Sequence, residues 1–597
     1  MRAWVLHRLG AARDDGFAMV FVLVTMMVVT LFVSAGLAYS VNSQVLSRHD
    51  QDYGAALAAA QAGVDDYISH LNRNDNYARL TPFNDCSNIA LRGPRVPANS
   101  CGWSSTSAPG WQRVNNGAVS GTPEFHYDVD ASTLDATGTI DVVSTGRVNK
   151  VSRSIEVSVN RGGPTQFLYY TDHEDGDPSN PVIYPSGMSN TCYAYWWGAA
   201  KETQSPTTPR RTGGSGCQEI TFVGGDVLDG AVHLNDTPLF TSVNSKLPEF
   251  KKGLEVSDPK CKNAVPSTPS TWGNCDRNAT SAAYNGIAPA YKDTFYLPDN
   301  SGAFGGYPGC AYTGPTRIIF NADGTMRVWS RQSNTTSSCG GSAPNGVTVP
   351  VPVDKVIYVR SATSTHKCAA GEIDGVLPLG DWDGTDTDLS YSYDDGMQVP
   401  SQYCGAGNAY VQGTLNGRVT VATQNSVTVT GDLKLAGGLN GNDLLGLVAG
   451  NSVEVFHPVM TRFTCATTAT RGSGSTLVTY CTRYTDGGNN DEVAGWPARL
   501  DPTAPKGIEI DASVQTLAHS FFVQNYDKGT FQGVLSIRGS LAQKWRGIVG
   551  QGSPPNTGYY KDYKYDLRLT YSAPPYFPQF VNSVWGARHS GEVPPQY

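Results

Sequence analysis

Phe17 to Tyr39 reads FAMVFVLVTMMVVTLFVSAGLAY, 23 positions without one charged side chain. As a helix this run rises about 35 Å, enough to cross a bilayer core of roughly 30 Å. It is longer than the core of an ordinary signal peptide, and no small-x-small cleavage break follows it. Arg2, Arg8 and Arg13 precede it. Positive charge before a span keeps that end in the cytoplasm. The first expectation is therefore a single-pass membrane protein with most of the chain on the far side of the bilayer.

The helical pattern continues beyond the bilayer. In QVLSRHDQDYGAALAAAQAGVDDYISHL, Gln44 to Leu71, the residues Ala55, Ala59, Val64, Tyr67 and Leu71 fall on a stripe close to three- and four-residue spacing. Gly54 and Gly63 weaken it, each by about 1 kcal/mol against Ala. One helix from Phe17 to about Leu71 is expected, within a segment 17–75. Its Ala-rich face permits close approach to other helices or to the chain's own β structure. The plainest reading of this segment is a one-helix anchor.

A short basic leader, then Gly16-Phe17, an unbroken apolar run and an Ala-rich helical stretch together resemble the N-terminus of type IV pilin-like proteins. The resemblance covers about 60 residues and implies several things. A prepilin peptidase would cut between Gly16 and Phe17 and methylate the new N-terminus at Phe17. Residues 1–16 would be a cytoplasmic leader, and the freed helix would leave the lipid bilayer for a bundle of other pilin-like subunits. Phe21, Ala55, Ala59 and Val64 would serve helix assembly. The fifth mature residue, usually Glu in the family, is Phe21 here. That departure points to a minor, tip or initiating subunit rather than the major repeating one.

All 12 cysteines lie beyond the apolar run, and none forms a CxxC pair. Zinc knuckles and thioredoxin-like chemistry are disfavoured, and disulfides are the default for an exported chain. The spacing suggests sequential pairs: Cys86–Cys101, Cys192–Cys217, Cys261–Cys275, Cys310–Cys339, Cys368–Cys404 and Cys465–Cys481. Spacing alone does not fix that connectivity. Each staple would remove roughly 3 kcal/mol of unfolded-chain freedom in the simple entropy account.

The chain as a whole is polar and turn-rich, with 65 Gly and 36 Pro. Only 16% of its residues are charged, and the net charge is 44 − 52 = −8. A charged disordered chain is excluded on those grounds, as is a broad basic surface for nucleic acid. Thr137 to Arg161 reads as two strands of alternating pattern, which the resemblance would place on the outer half of the long helix. This is the small β region, 76–163, that Gly162-Gly163-Pro164 closes. A loop-rich, disulfide-stapled β region, 164–345, follows. It contains ITFVGGDVLDGAVHLNDTPLF, Ile220 to Phe240, whose short apolar steps between glycines read like one coil of a parallel β-helix.

The strongest repeat signal lies in 346–597. Val347–Val359, Val411–Leu435, Leu444–Phe456, Ile508–Phe521 and Gly533–Gly550 each give short apolar strands, mostly with Gly or Asn corners. Stacked rungs bury what no single rung can. An ordinary β-sandwich stays open as the alternative. The tail GYYKDYKYDLRLTY suggests an aromatic cap over an open ladder end. This tail and the Ile220–Phe240 phrase also resemble stretches of exported pilus-like bacterial proteins. The expected fold class is α+β, mostly β: a long pilin-like transmembrane helix and a large β-rich head with solenoid-like rungs.

Two acidic strings invite a metal. Asp381, Asp383, Asp386 and Asp388 in DWDGTDTD, and Asp172, Glu174, Asp175 and Asp177 in DHEDGDP, both read first as solvated acidic loops, with calcium as the alternative and the first string its weak candidate. Neither string fits the full twelve-residue calcium loop, and no other cofactor is indicated. His233, near Asn235 and Asp236, reads as a structural turn rather than a cluster with chemistry. No nucleophile elbow, HExxH helix or phosphate loop occurs. The expected role is non-enzymatic: a minor structural component of a type IV pilus or related filament, with tip, priming or adhesive duty. The rivals are a membrane-anchored adhesin outside any filament and a surface carbohydrate-active β-helix enzyme.

Overall fold

The computed structural model describes residues 17–597 except 75, 81–84, 97–98, 116–120, 181, 196–202, 205–207, 210–215, 278–281, 331, 334–338, 340–345, 364–374, 377–388, 391–404, 472–473, 475–477, 493–506 and 553–554. Two compact units divide the chain. One gathers Met1–Asp130, Asp141–Ser158 and His589–Tyr597, and the other Ala131–Ile140 and Val159–Arg588.

The first unit is built on one helix, Phe17–Arg73, of 57 residues. Two threonine hydroxyls in its apolar half find partners within the helix. Thr25 Oγ1 donates to the Phe21 carbonyl at 2.8 Å, and Thr30 Oγ1 to that of Met26 at 2.8 Å. Such internal bonding lets a hydroxyl sit in an apolar medium without an unpaired donor. His70 and Arg73 occupy the last turn, where the helix dipole favours positive charge. A five-stranded sheet runs in the order Gln112–Arg113, Glu124–Asp130, Thr139–Val148, Val151–Arg161 and Trp585–Val593. The two-residue turn Asn149-Lys150 joins its long middle strands, with Asn149 at φ 52°. Ile140, Val142, Ile155, Val157 and Val159 are all buried, in keeping with the alternating pattern of the sequence.

The second unit is organised by parallel strand ladders. One ladder stacks Gly309–Thr313, Lys355–Arg360, Arg418–Thr423, Leu444–Ala449, Ser513–Thr516, the latter half of Phe531–Arg546, Tyr169–Gly176, Val232–Leu234, Leu254–Val256 and Ala290–Tyr291. A second runs from Thr316–Phe320 through Ala409–Leu415, Val427–Leu435, Gly507–Ile510 and the first half of Phe531–Arg546. It continues through Pro555–Tyr565 and Val227–Asp229 to Glu249–Phe250. Val, Ile and Leu from both ladders meet in one core with Phe222, Phe240, Phe250 and Tyr563. At the Gly413 corner φ is +110°, and a Cβ there would lie 2.2 Å from the Phe320 carbonyl oxygen, so only glycine serves.

Stacking order differs from chain order. The chain enters mid-array at Tyr169–Gly176, builds to Ala290–Tyr291, restarts at the opposite end with Gly309–Thr313 and works back. Residues 292–308 and 573–580 cover the outer face of the first ladder: Leu297, Phe304, Phe577 and Phe580 bury against Tyr170, Tyr358, Ala422 and Val448.

This threading corrects the expected aromatic cap. Pro555–Tyr565 is paired on both sides, with Phe531–Arg546 and with Val227–Asp229. Tyr559 and Tyr563 are fully buried within the array. The last strands dock on the first because the chain began in the middle. An antiparallel arrangement of Thr316–Phe320, Thr325–Ser330 and Val347–Pro350 lies at one end instead. A long antiparallel hairpin, Val459–Arg471 with Val478–Glu492, is inserted between two rungs.

Candidate functional site

Two features carry chemistry, one in each unit. The first is the helix. Its described large apolar side chains from Met19 to Val41, and Leu46, are exposed, Phe21 at 65%. Among the described residues this is the one helix long and apolar enough to cross a membrane. Its later half is fixed to the sheet. Ala59 and Val64 are buried, Ala55 is half-buried, and the true contact stripe is Ala56, Ala59, Ala60, Val64, Tyr67 and Leu71. Glycines make the approach possible. A Cβ on Gly146 would lie 2.0 Å from the Ala56 carbonyl oxygen and 2.4 Å from the Ala60 amide nitrogen. One on Gly63 would lie 2.3 Å from Ser144 Oγ.

Polar bonds lock the end of the helix. Tyr127 donates to Asp66 at 3.0 Å and Tyr77 to Asp85 at 2.9 Å, while Asn88 Nδ2 donates to the Tyr77 hydroxyl at 3.0 Å. Burial, with nearby negative charge, pushes the Tyr77 and Tyr127 hydroxyls far above their ordinary pKa, so they stay donors. The unit thus presents an apolar rod on a rigid base. The described helix begins at Phe17. Gly16 and the Phe17 side chain lie outside the described residues.

Disulfides join Cys86 to Cys101, Cys192 to Cys217, Cys261 to Cys275 and Cys310 to Cys339. Cys368 and Cys404 lie outside the described residues, as do the side chains of Cys465 and Cys481. The calcium candidates Asp381, Asp383, Asp386 and Asp388 lie outside them too. One described group brings ligand-type atoms together: Asp175, Cys192 and Cys217, within 4.8 Å of one another. Both sulfurs are spent in a disulfide, and the thiolate is the form that binds metal.

The second feature corrects the reading of Asp172–Asp177 as a solvated loop. Tyr169–Gly176 is a strand buried along its whole length. Its charges are met by the strand stacked beside it. Lys544 pairs with Asp172, which also accepts from Tyr195 and from Asn235 at 2.8 Å. Arg546 Nη1 reaches Glu174 at 2.6 Å, and the guanidinium carbon Cζ lies 3.4 Å from the centre of the Phe222 ring. His519 Nδ1 meets Asp177 Oδ1 at 2.7 Å, and Ser520 donates to Oδ2 at 2.6 Å. Lys561 and Asp226 pair at 2.8 Å nearby.

These carboxyls titrate in different directions. Burial raises Glu174 against the pull of Arg546. Burial alone would raise Asp177 too, but its bond to His519 and that charge outweigh it, so Asp177 falls below the usual range. Asp172 falls in the same way, with His173 and Lys544 outweighing burial.

His233 lies in the strand Val232–Leu234, fully buried, and contacts Glu255 and Asn235 at 3.1 Å each. Asn235 in turn donates to Tyr170 at 2.9 Å and to the Phe295 carbonyl at 2.5 Å. The group therefore ties the covering segment to the ladder. Sequence reasoning missed Lys544, Arg546, His519 and Lys561 because each lies more than 300 residues from its partner, with no local spacing to mark the pair.

No protein-family model and no curated protein matches the sequence. Among solved structures, the crystal structure of the competence-associated pilin ComZ from Thermus thermophilus is similar at 12% identity and a TM-score of 0.25, with 91% of this chain and 97% of that chain covered. A TM-score of that size carries no argument about this chain.

Proposed function

We propose that the chain is an exported, pilin-like minor structural subunit whose head is a parallel β-helix. In this reading a prepilin peptidase cuts between Gly16 and Phe17 and methylates Phe17. The exposed apolar half of the helix first crosses the bilayer and then packs among other pilin-like subunits, with Phe21 in that contact. The large head is displayed at few positions and serves adhesion or assembly priming, not turnover. The domain layout in this reading is a leader 1–16, a helix 17–75, a small β region 76–163, a disulfide-stapled β region 164–345 and a solenoid-like region 346–597.

The observation that carries this reading is the division of one 57-residue helix into two faces of use. Its first half is apolar and exposed, and its second is fixed on an antiparallel sheet through Gly146 and Ala56. A plain anchor needs the first half only. The β-helix part of the reading is supported by the parallel registers of both ladders. N-terminal sequencing of protein from cells with active peptidase tests the proposal. A Phe17 start is expected, and an intact Met1 start would leave an anchored adhesin instead.

A further inference from the structure

A cavity of about 150 Å³ lies in the second unit, between the residues that end the hairpin strand at Arg161 and the turn after Tyr565. Its described wall contains two arginines, Arg161 and Arg588, and no carboxylate. Both guanidiniums are held in place. Arg588 Nε donates to Asn160 Oδ1 at 2.6 Å. Arg161 Nε reaches the Ser583 carbonyl at 3.1 Å and Ser583 Oγ at 3.2 Å. Gln166, also in the wall, has a buried Nε2 with no acceptor among the described residues. Tyr565 and Tyr571 add aromatic surface.

Each feature narrows the ligand. The Arg588 guanidinium, fixed by Asn160 in a described wall that holds no carboxylate, calls for a planar oxyanion, which it binds in a two-pronged way. A buried amide donor calls for a further acceptor. Aromatic surface suits the apolar face of a ring. An apolar cavity of about 150 Å³ accepts benzene, so the space suits one six-membered ring. We propose that this cavity binds an acidic sugar unit, a pyranose bearing a carboxylate. The carboxylate lies at Arg588, a ring hydroxyl accepts from Gln166 Nε2, and the ring rests against the tyrosines. The site stands whether or not the helix is processed.

The test uses the full chain in detergent micelles, titrated by calorimetry with glucuronate, galacturonate, glucose, galactose and acetate. Saturable binding of a uronate is expected, with the neutral parent sugar about tenfold weaker or worse. Gln166→Glu and Arg588→Gln should each weaken uronate binding by about tenfold or more. Absence of saturable uronate binding to the wild-type chain would overturn the site, as would uronate binding untouched by both variants. Acetate binding as tightly as the uronate would overturn the sugar assignment.

Discussion

Arg546 is among the largest fully buried side chains in the molecule, and Glu174 is its counter-charge at 2.6 Å. A buried pair of this kind gives little net stability, yet breaking it from one side strands a charge. Arg546→Met alone should therefore cost about 3–5 kcal/mol in denaturant unfolding. Adding Glu174→Gln should recover much of that loss, and a double variant no more stable than the single would contradict the account.

The Asp177–His519 pair makes stability depend on pH. Asp177 is held below the carboxylate range, so its contribution is present above about pH 4 and is lost as pH falls through its lowered pKa. Burial alone would lower His519, but the bond and charge of Asp177 raise it. Its contribution is complete below about pH 6.5 and is lost as pH rises through the raised pKa. The stability gap between wild type and His519→Gln should be widest near pH 5–6 and should narrow in alkaline solution. A gap flat across that range would show that the pair does not titrate as described.

At the scale of the element, the helix and the ladders were legible to different degrees. An uncharged run of 23 residues leaves few options, and the described helix ends two residues beyond Leu71. The packing stripe was half legible: Ala59, Val64, Tyr67 and Leu71 are buried, but Ala56 rather than Ala55 meets the sheet. That offset depends on Gly146, whose role no helical spacing reveals. Gly146→Val should destabilise the first unit by about 1–3 kcal/mol, because its Cβ would meet backbone rather than a yielding side chain. Gly54→Ala is the control: nothing lies within 4 Å of that Cβ, and thermal unfolding should be unchanged or slightly raised. Equal melting shifts in both variants would count against the contact. The rungs between Val411 and Phe456 could be read from their apolar steps and corners. Tyr169–Gly176 could not, since its acidic residues look solvated until Lys544, Arg546 and His519 are set beside them.

For the whole molecule, chain order conceals the assembly. Each unit is completed from distant parts of the sequence. Tyr169–Gly176 pairs with Phe531–Arg546, and Val227–Asp229 with Pro555–Tyr565. The first unit includes His589–Tyr597, where Glu592 meets Arg153 with Nε to Oε1 at 2.6 Å, and Tyr597 donates to Asp128 at 2.9 Å. Pairings this remote make folding slow, because long loops must close before contacts repay them. They also explain why the tail looked like a cap. An aromatic, alternating strand at the end of a chain has the letters of an edge strand, and only the threading makes it an interior one.

At the other end of the chain, the described helix starts at Phe17 with its apolar half exposed, and cleavage at that point is what the pilin-like reading requires. Intact-mass measurement together with N-terminal sequencing, on protein from cells with an active prepilin peptidase, tests it most directly. The expected result, after reduction of the disulfides, is a chain beginning at Phe17 and heavier than the bare Phe17–Tyr597 sequence by one CH2, the net gain of N-methylation. A chain that retains Met1, or one cut elsewhere in or after the apolar run, would contradict it.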